Sequence, residues 1–302
     1  MTFRSPRVLG LLAALTTVTI WAAFILVTRY AVQGDFTVEE VLVLRLVPSA
    51  LVTAPIMWRL GVIPRGQSWF GAAMVMVGVS AVFPYIVSKG LAFAPASDAG
   101  ALAPGMLPFW TALAAFVMTG AVTGPSRRLG LGMILVGALI VSLWQILVGA
   151  DDGAWKGHLM FLTGSACFAV YSVVFSQSGL SPTHSLVIGL FWGAVLITPI
   201  LLASGNVSFQ KPAIQDILVM IVLQGFVIAI LAMFLFGYAV QLLGAAESAA
   251  FGAMTPILTL LGGVILLGES ITLIKAIGVV LVAAGVFLAS GVVTASRAKS
   301  PI

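Results

Sequence analysis

The chain has 302 residues, of which 61% are hydrophobic and only 8% charged, with a formal net charge of +5 and a mean hydropathy of +1.19. So little polar surface cannot coat a soluble globule of this length, which leaves the lipid bilayer as the medium. Apolar runs of about 20 residues recur, each long enough to cross roughly 30 Å of hydrocarbon, and they lack the short polar/apolar alternation that a membrane barrel requires. The single Cys167 excludes an internal disulfide and a cysteine-based metal site.

The first run follows Arg4 and Arg7 and so imitates a secretory leader, but more apolar runs come after it. It therefore reads as a membrane helix and not as a cleaved segment. Ten helices are expected, centred near residues 19, 47, 78, 109, 136, 167, 193, 226, 257 and 283, with short loops between them. With the N-terminus in the cytoplasm, Arg4, Arg7, Arg59, Arg65, Arg127, Arg128, Arg297 and Lys299 fall inside. Asp35, Glu39, Glu40, Asp98, Asp151, Asp152, Asp216 and Glu269 fall outside, with Arg29, Lys89, Lys156, Lys211 and Lys275, and Glu247 is the one acid inside. Both termini are then cytoplasmic.

The second run contains Arg45, about 12 Å along its helix. At that depth the side chain either pairs with Glu39 or Glu40, or snorkels, or faces a cavity and attracts a carboxylate. Arg29 and Lys89, at outer helix ends, could pair with Glu39 and Asp98 as parts of an outer gate. Prolines fall within the runs at Pro48, Pro55, Pro84, Pro104, Pro108, Pro199 and Pro256. Each removes a backbone donor and can bend its helix. Trp21, Trp110, Phe168, Tyr171, Trp192, Gln224 and Phe226 lie near mid-span, with Phe83, Tyr85 and Tyr238 nearer the ends. Tryptophan favours the membrane interface, so mid-span tryptophans mark either a protein-lined cavity or helix contacts. The buried amide of Gln224 needs a partner that a cavity or a substrate supplies. No acid falls at mid-span; Glu247, at the start of the ninth helix, is the nearest candidate for proton coupling, or simply complements a helix dipole. Nucleotide-binding and zinc-protease motifs are missing, so no enzyme, cofactor or metal site is expected.

The chain also repeats itself. At an offset of 147, Gly10, Leu12, Leu15, Thr16, Ala22 and Val27 recur as Gly157, Leu159, Leu162, Thr163, Ala169 and Val174. At 148, Met106, Pro108, Thr111, Leu113, Gly120, Gly130, Gly137 and Ser142 match Met254, Pro256, Thr259, Leu261, Gly268, Gly278, Gly285 and Ser290. Matched prolines and glycines are backbone features and coincide by chance less often than leucines. The expected architecture is an all-α multi-pass membrane protein of two five-helix repeats, residues 1–150 and 151–302. Because five is odd, the second repeat enters from the opposite face, so the two are inverted around a central cavity, the arrangement that supports alternating access. Pro108 and Pro256, equivalent in the two copies, are the expected gating hinges. Gly130, Gly137, Gly278 and Gly285 return to one helix face every seven residues and suit close packing in a scaffold or dimer surface.

The Trp21-Ala22-Ala23-Phe24 segment, Arg45, Phe93-Ala94-Pro95-Ala96-Ser97 and Thr255-Pro256-Ile257 through Gly268-Glu269 carry a resemblance to the drug/metabolite transporter superfamily, specifically its EamA family. It covers nearly the whole chain, and departs from the pattern where Gly120 is followed by Ala121 and not by the Glu found after Gly268. Within the family the chain is most similar to YddG-type exporters of aromatic and other neutral amino acids, which are also associated with paraquat. The resemblance implies a secondary exporter in the cell inner membrane whose partners are a small-molecule substrate and the bilayer, with no nucleic acid. Trp21, Phe83, Tyr85, Trp110, Tyr171, Trp192 and Gln224 are the expected substrate-binding residues, with charge roles for Arg45 and Glu247. Proton-coupled export of lipophilic cations is the alternative.

Overall fold

The computed structural model describes residues 6–147 and 153–292, all helix and connecting loop. Arg4, Asp151, Asp152, Arg297 and Lys299 lie outside the described residues. The helices are α1 (Pro6–Gln33), α2 (Val38–Leu60), α3 (Trp69–Phe93), α4 (Ala96–Leu102), α5 (Leu107–Thr119) and α6 (Pro125–Leu147), then α7 (Ala154–Gln177), α8 (Pro182–Ala203), α9 (Ile214–Leu243), α10 (Ala245–Phe251), α11 (Met254–Leu267) and α12 (Leu273–Ala289). Taking α4 with α5 and α10 with α11 as broken single crossings, nine stretches among the described residues are long and apolar enough to cross a membrane. The remaining apolar helix, α12, has 17 residues. Nine of the expected centres fall inside these stretches and the tenth, near residue 283, falls inside α12.

Local chemistry sets the boundaries. Thr37 and Glu40 form a reciprocal capping box at the start of α2, and Ser68, Ser181 and Thr272 cap α3, α8 and α12 by accepting from the backbone three residues on. Gly120 and Gly268, equivalent in the repeat, end α5 and α11 with φ of 71° and 66°, where a side chain would be strained.

The two copies break regularity at matching places. The fourth crossing opens into a turn at Ala103–Met106 and the ninth at Gly252–Ala253, and Pro104 and Gly105 stand 148 residues before those last two. Pro108 and Pro256 sit just after the breaks, in the first turns of α5 and α11. The missing N–H of a proline costs little there, so these prolines restart helices instead of bending them. The third helix of each copy carries a π-helical stretch, Met74–Val82 in α3 and Ile221–Leu231 in α9, and α8 carries a shorter one at Gly193–Ile197.

Packing follows the duplication. Helix α1 lies on α9 and α11, and its counterpart α7 lies on α3 and α5; α2 lies on α9 as α8 lies on α3. Two matched pairs meet directly, α2 with α8 and α6 with α12. In the last pair the four matched glycines face each other across antiparallel helices. A Cβ on Gly130 would sit 2.7 Å from the Gly285 carbonyl oxygen, and one on Gly137 would sit 2.6 Å from that of Gly278. These glycines therefore form an internal scaffold contact, backbone against backbone. Gly137→Val is expected to destabilise the protein by about 1–3 kcal/mol through overpacking, whereas Gly132→Ala, where nothing lies within 4 Å, should be neutral. Thermal unfolding of the two variants in detergent checks this, and equal melting temperatures would refute the contact.

Candidate functional site

Helix direction sorts the charges to two ends. Asp35, Glu39, Glu40, Lys89, Asp98, Lys156, Glu269 and Lys275 lie at what is here the acidic end, and Arg7, Arg59, Arg65, Arg127, Arg128 and Glu247 at the arginine end. At the acidic end, buried ionic contacts tie helices to one another. Asp98, at the start of α4 and wholly buried, meets Nζ of Lys275 on α12 at 2.7 Å and Nε2 of His158 on α7 at 2.9 Å. Glu269, in the loop between α11 and α12, accepts from the Ala96 and Ser97 backbone N–H groups at 2.6 and 3.1 Å. It thereby caps α4, whose own N-cap, Pro95, offers no side-chain oxygen. Arg29 stands 3.8 Å from Glu269 and donates to the Leu91 carbonyl oxygen.

Glu39 pairs with Lys89 at 2.7 Å and accepts from the Tyr85 hydroxyl at 3.1 Å. Glu40 accepts from Ser208 and Phe209 N–H, at 3.0 and 2.7 Å, and so fastens the loop before α9 onto α2. Both acids expected as partners for Arg45 are thus engaged elsewhere. Lys89 does pair with Glu39; Arg29 pairs with Glu269 and not with Glu39.

Two contacts break the two-copy symmetry: α1 packs on the second part of α3 with no comparable α7–α9 contact among the described residues, and the contacts across the breaks differ as well. Helix α4 packs on α11, and Gly100 lies so close to Thr259 that no Cβ fits between them. The equivalent pair at the arginine end, α10 and α5, has no comparable contact. Among the described residues that end holds lighter ties: Arg7 to Glu247 at 3.1 Å near the surface, His184 Nε2 to the Gly61 carbonyl at 3.1 Å, and the Gln67 amide donating to the Ser178 carbonyl at 3.1 Å.

Deeper in, Gln224 on α9 is completely buried and donates from Nε2 to the Thr28 hydroxyl of α1 at 2.9 Å. Its Oε1 accepts from Arg45 Nη1 at 3.4 Å, and the guanidinium lies 5.1 Å from the centre of the Phe24 ring. Trp21, Phe83 and Trp110 pack against one central apolar cluster that also contains Phe24. Phe83, Phe168, Tyr171 and Phe175 form a continuous row with ring centres 4.9 to 5.8 Å apart, and the Tyr171 hydroxyl bonds Ser185 at 2.8 Å. Trp110 buries its indole N–H without a partner. Two expected residues stand apart from this group. Tyr85 joins Glu39 and Lys89 near the acidic end, and Trp192 donates to the Val62 carbonyl at 2.7 Å beside a separate cluster. His158 and Lys275 were not anticipated, because a histidine near a loop gives no sign in sequence that an aspartate 60 positions away will meet it.

The EamA-like transporter family matches the chain twice, over residues 8–143 and 155–291. The chain belongs to the EamA-like transporter family. This EamA-like protein is therefore a transporter of the drug/metabolite type, a multi-pass membrane protein with a small-molecule substrate. No curated protein matches its sequence. Among solved structures, 17 chains match. One of them, described only as "Crystal structure of protein", shares 17% identity with a TM-score of 0.60 over 94% of this chain and 99% of its own, a likeness in fold.

Replacing Glu269 by Ala in a Cys167→Ser background removes the cap of α4 and the partner of Arg29. A cysteine placed at Ser97, which is 1% exposed, should then react several-fold faster with a membrane-impermeant thiol reagent. Unchanged labelling would show that Glu269 does not hold the acidic end closed.

Proposed function

We propose that this protein is a secondary transporter that exports amino acids, aromatic or other neutral ones, by alternating access. Ten crossings in two inverted halves, 1–150 and 151–302, would surround a central cavity, with both termini and the arginine end in the cytoplasm of the cell inner membrane. The observation that carries this reading is a one-sided loss of symmetry: α4 packs on α11 and α1 packs on the second part of α3, whereas the equivalent pairs, α10 with α5 and α7 with α9, show no comparable contact among the described residues. A duplicated chain closed at one end only is what one state of an alternating-access cycle requires. In this reading Trp21, Phe83, Trp110, Tyr171 and Gln224 border the substrate path, Tyr85 and Trp192 lie toward its two ends, and the turns before Pro108 and Pro256 are the flexible points.

The rival, proton-coupled export of lipophilic cations such as paraquat, draws support from the buried Asp98–His158 pair. It is the weaker reading because Lys275 already neutralises Asp98, and Glu247 is tied to Arg7 near the surface.

Counterflow of labelled aromatic, aliphatic and charged amino acids into proteoliposomes, with and without a pH gradient, separates the two. Saturable exchange of neutral amino acids independent of the gradient is expected. Gradient-driven movement of organic cations without amino acid exchange would transfer the assignment to the rival.

A further inference from the structure

We propose that Arg45 is the carboxylate-binding group of the substrate site, so that the transported solute carries a carboxylate; this rests on the transport reading above and narrows it. Arg45 lies seven residues past Val38, about 10 Å into the helix at roughly 1.5 Å per residue. A cation at such depth is costly unless something compensates it. Among the described residues none of the ion pairs involves Arg45, and the two nearest acids in sequence, Glu39 and Glu40, are committed to Lys89 and to backbone N–H groups.

The guanidinium has five N–H donors in a planar fork. One makes a 3.4 Å contact with Gln224 and the Phe24 ring lies beneath the group, yet the buried Nε has no partner. The contacts it does have are positional. Gln224 is itself held by Thr28, which turns its oxygen toward the guanidinium, and a neutral amide with an aromatic face orients a cation without neutralising it. A carboxylate supplies the missing charge and accepts two parallel N–H bonds from the fork.

The side chain also points inward. At about 100° per residue, Ala54, nine positions on, projects from the opposite side of α2 and is exposed, as are Leu51 and Trp58 on the same outer flank. Val52, seven positions on, returns to the face of Arg45 on the way to the arginine end. It is 55% exposed. Leu42 and Leu46, on one side of Arg45, pack with residues of α3 and α8, while Val41 and Leu44, on the other, pack with residues of α1 and α9. Arg45 therefore sits at the seam between the two groups of helices.

Binding and transport are read separately. Thermal stabilisation of the purified protein in detergent is measured with amino acids of aromatic, aliphatic and charged type, with simple organic acids, and with the amide of each. At least one acid should raise the melting temperature, and its amide should need at least tenfold higher concentration for the same shift. Arg45→Gln should abolish that preference and Arg45→Lys should retain part of it. Because no acid loses its partner, Arg45→Gln should unfold no earlier than the parent protein without ligand.

Equal stabilisation by acid and amide, an unchanged preference in Arg45→Gln, or no stabilisation by any carboxylate in the panel would overturn the proposal. Counterflow of the stabilising acid tests the transport reading alone. Stabilisation without counterflow would refute transport of that solute and leave the Arg45 site standing, whereas counterflow blocked equally by acid and amide would do the reverse.

Discussion

Hydrocarbon offers no hydrogen bonds, so any backbone group released from a helix ladder within the bilayer must be satisfied by the protein itself. This constraint decides where a membrane chain of this kind can be irregular. The turn at Ala103–Met106 is largely buried, whereas that at Gly252–Ala253 is partly exposed, and prolines restart the helix just beyond each of them. At the start of α4 the free N–H groups of Ala96 and Ser97 are taken by Glu269, a residue 173 and 172 positions away. The irregular backbone thus becomes a point of attachment between halves. Where a regular helix would bury its polar groups in its own ladder, these short helices expose theirs to a partner that can arrive or leave.

The duplicated sequence prescribes one set of helix contacts twice, and the structure honours most of them. The α6–α12 pair is the most constrained, since its glycines admit no side chain between the backbones, and it lies outside the contacts that differ between the two ends. In the proposed cycle it would serve as a fixed frame against which the broken helices shift. Closure at the acidic end combines apolar contact, as between Gly100 and Thr259, with ionic contacts that stay out of water. Buried ion pairs add specificity of fit more surely than net stability, because desolvation offsets much of their attraction. Their role at this end is better understood as selecting one docked arrangement than as adding strength.

Much of this was legible in the sequence, and the rest was hidden for identifiable reasons. Hydropathy located the crossings because twenty apolar residues in a row have few other uses, and the glycine spacing marked a close-packing face on α6 and on α12 because a seven-residue repeat stays near one helix face, though it left scaffold and dimer surface as equal uses for that face. Proline suggested bending at Pro108 and Pro256, but the turns fall a few residues earlier. A missing donor disturbs the preceding turn, and glycine or alanine at Gly105, Gly252 and Ala253 lets the chain deviate there. The π-helical stretches left no sequence mark. Arg45 was recognised as costly, yet its expected pairing with Glu39 or Glu40 assumed that nearby acids are free. Lys89 and the loop at Ser208–Phe209 claim them from other helices, and such long-range competition has no local signature. For the same reason His158 read as an ordinary loop-end residue.

The two ends are built from the same pattern but not from the same chemistry. Glu269, Asp98 and His158 correspond in the other half to Ala121, Ala246 and Leu11, none of which can accept from a helix terminus or hold a charge. Under the proposed alternating-access reading, a carrier assembled this way would have unequal empty forms. If the ionic closure is worth about 2 kcal/mol, in the range of hydrogen bonds to charged groups, the population ratio is skewed roughly thirtyfold. On that reading, return of the empty carrier out of its favoured form would become the slow step of net flow, while a bound solute that eases the same transition would permit rapid one-for-one exchange. The single carboxylate after Gly268, absent after Gly120, would in this way make the protein a faster exchanger than a conduit.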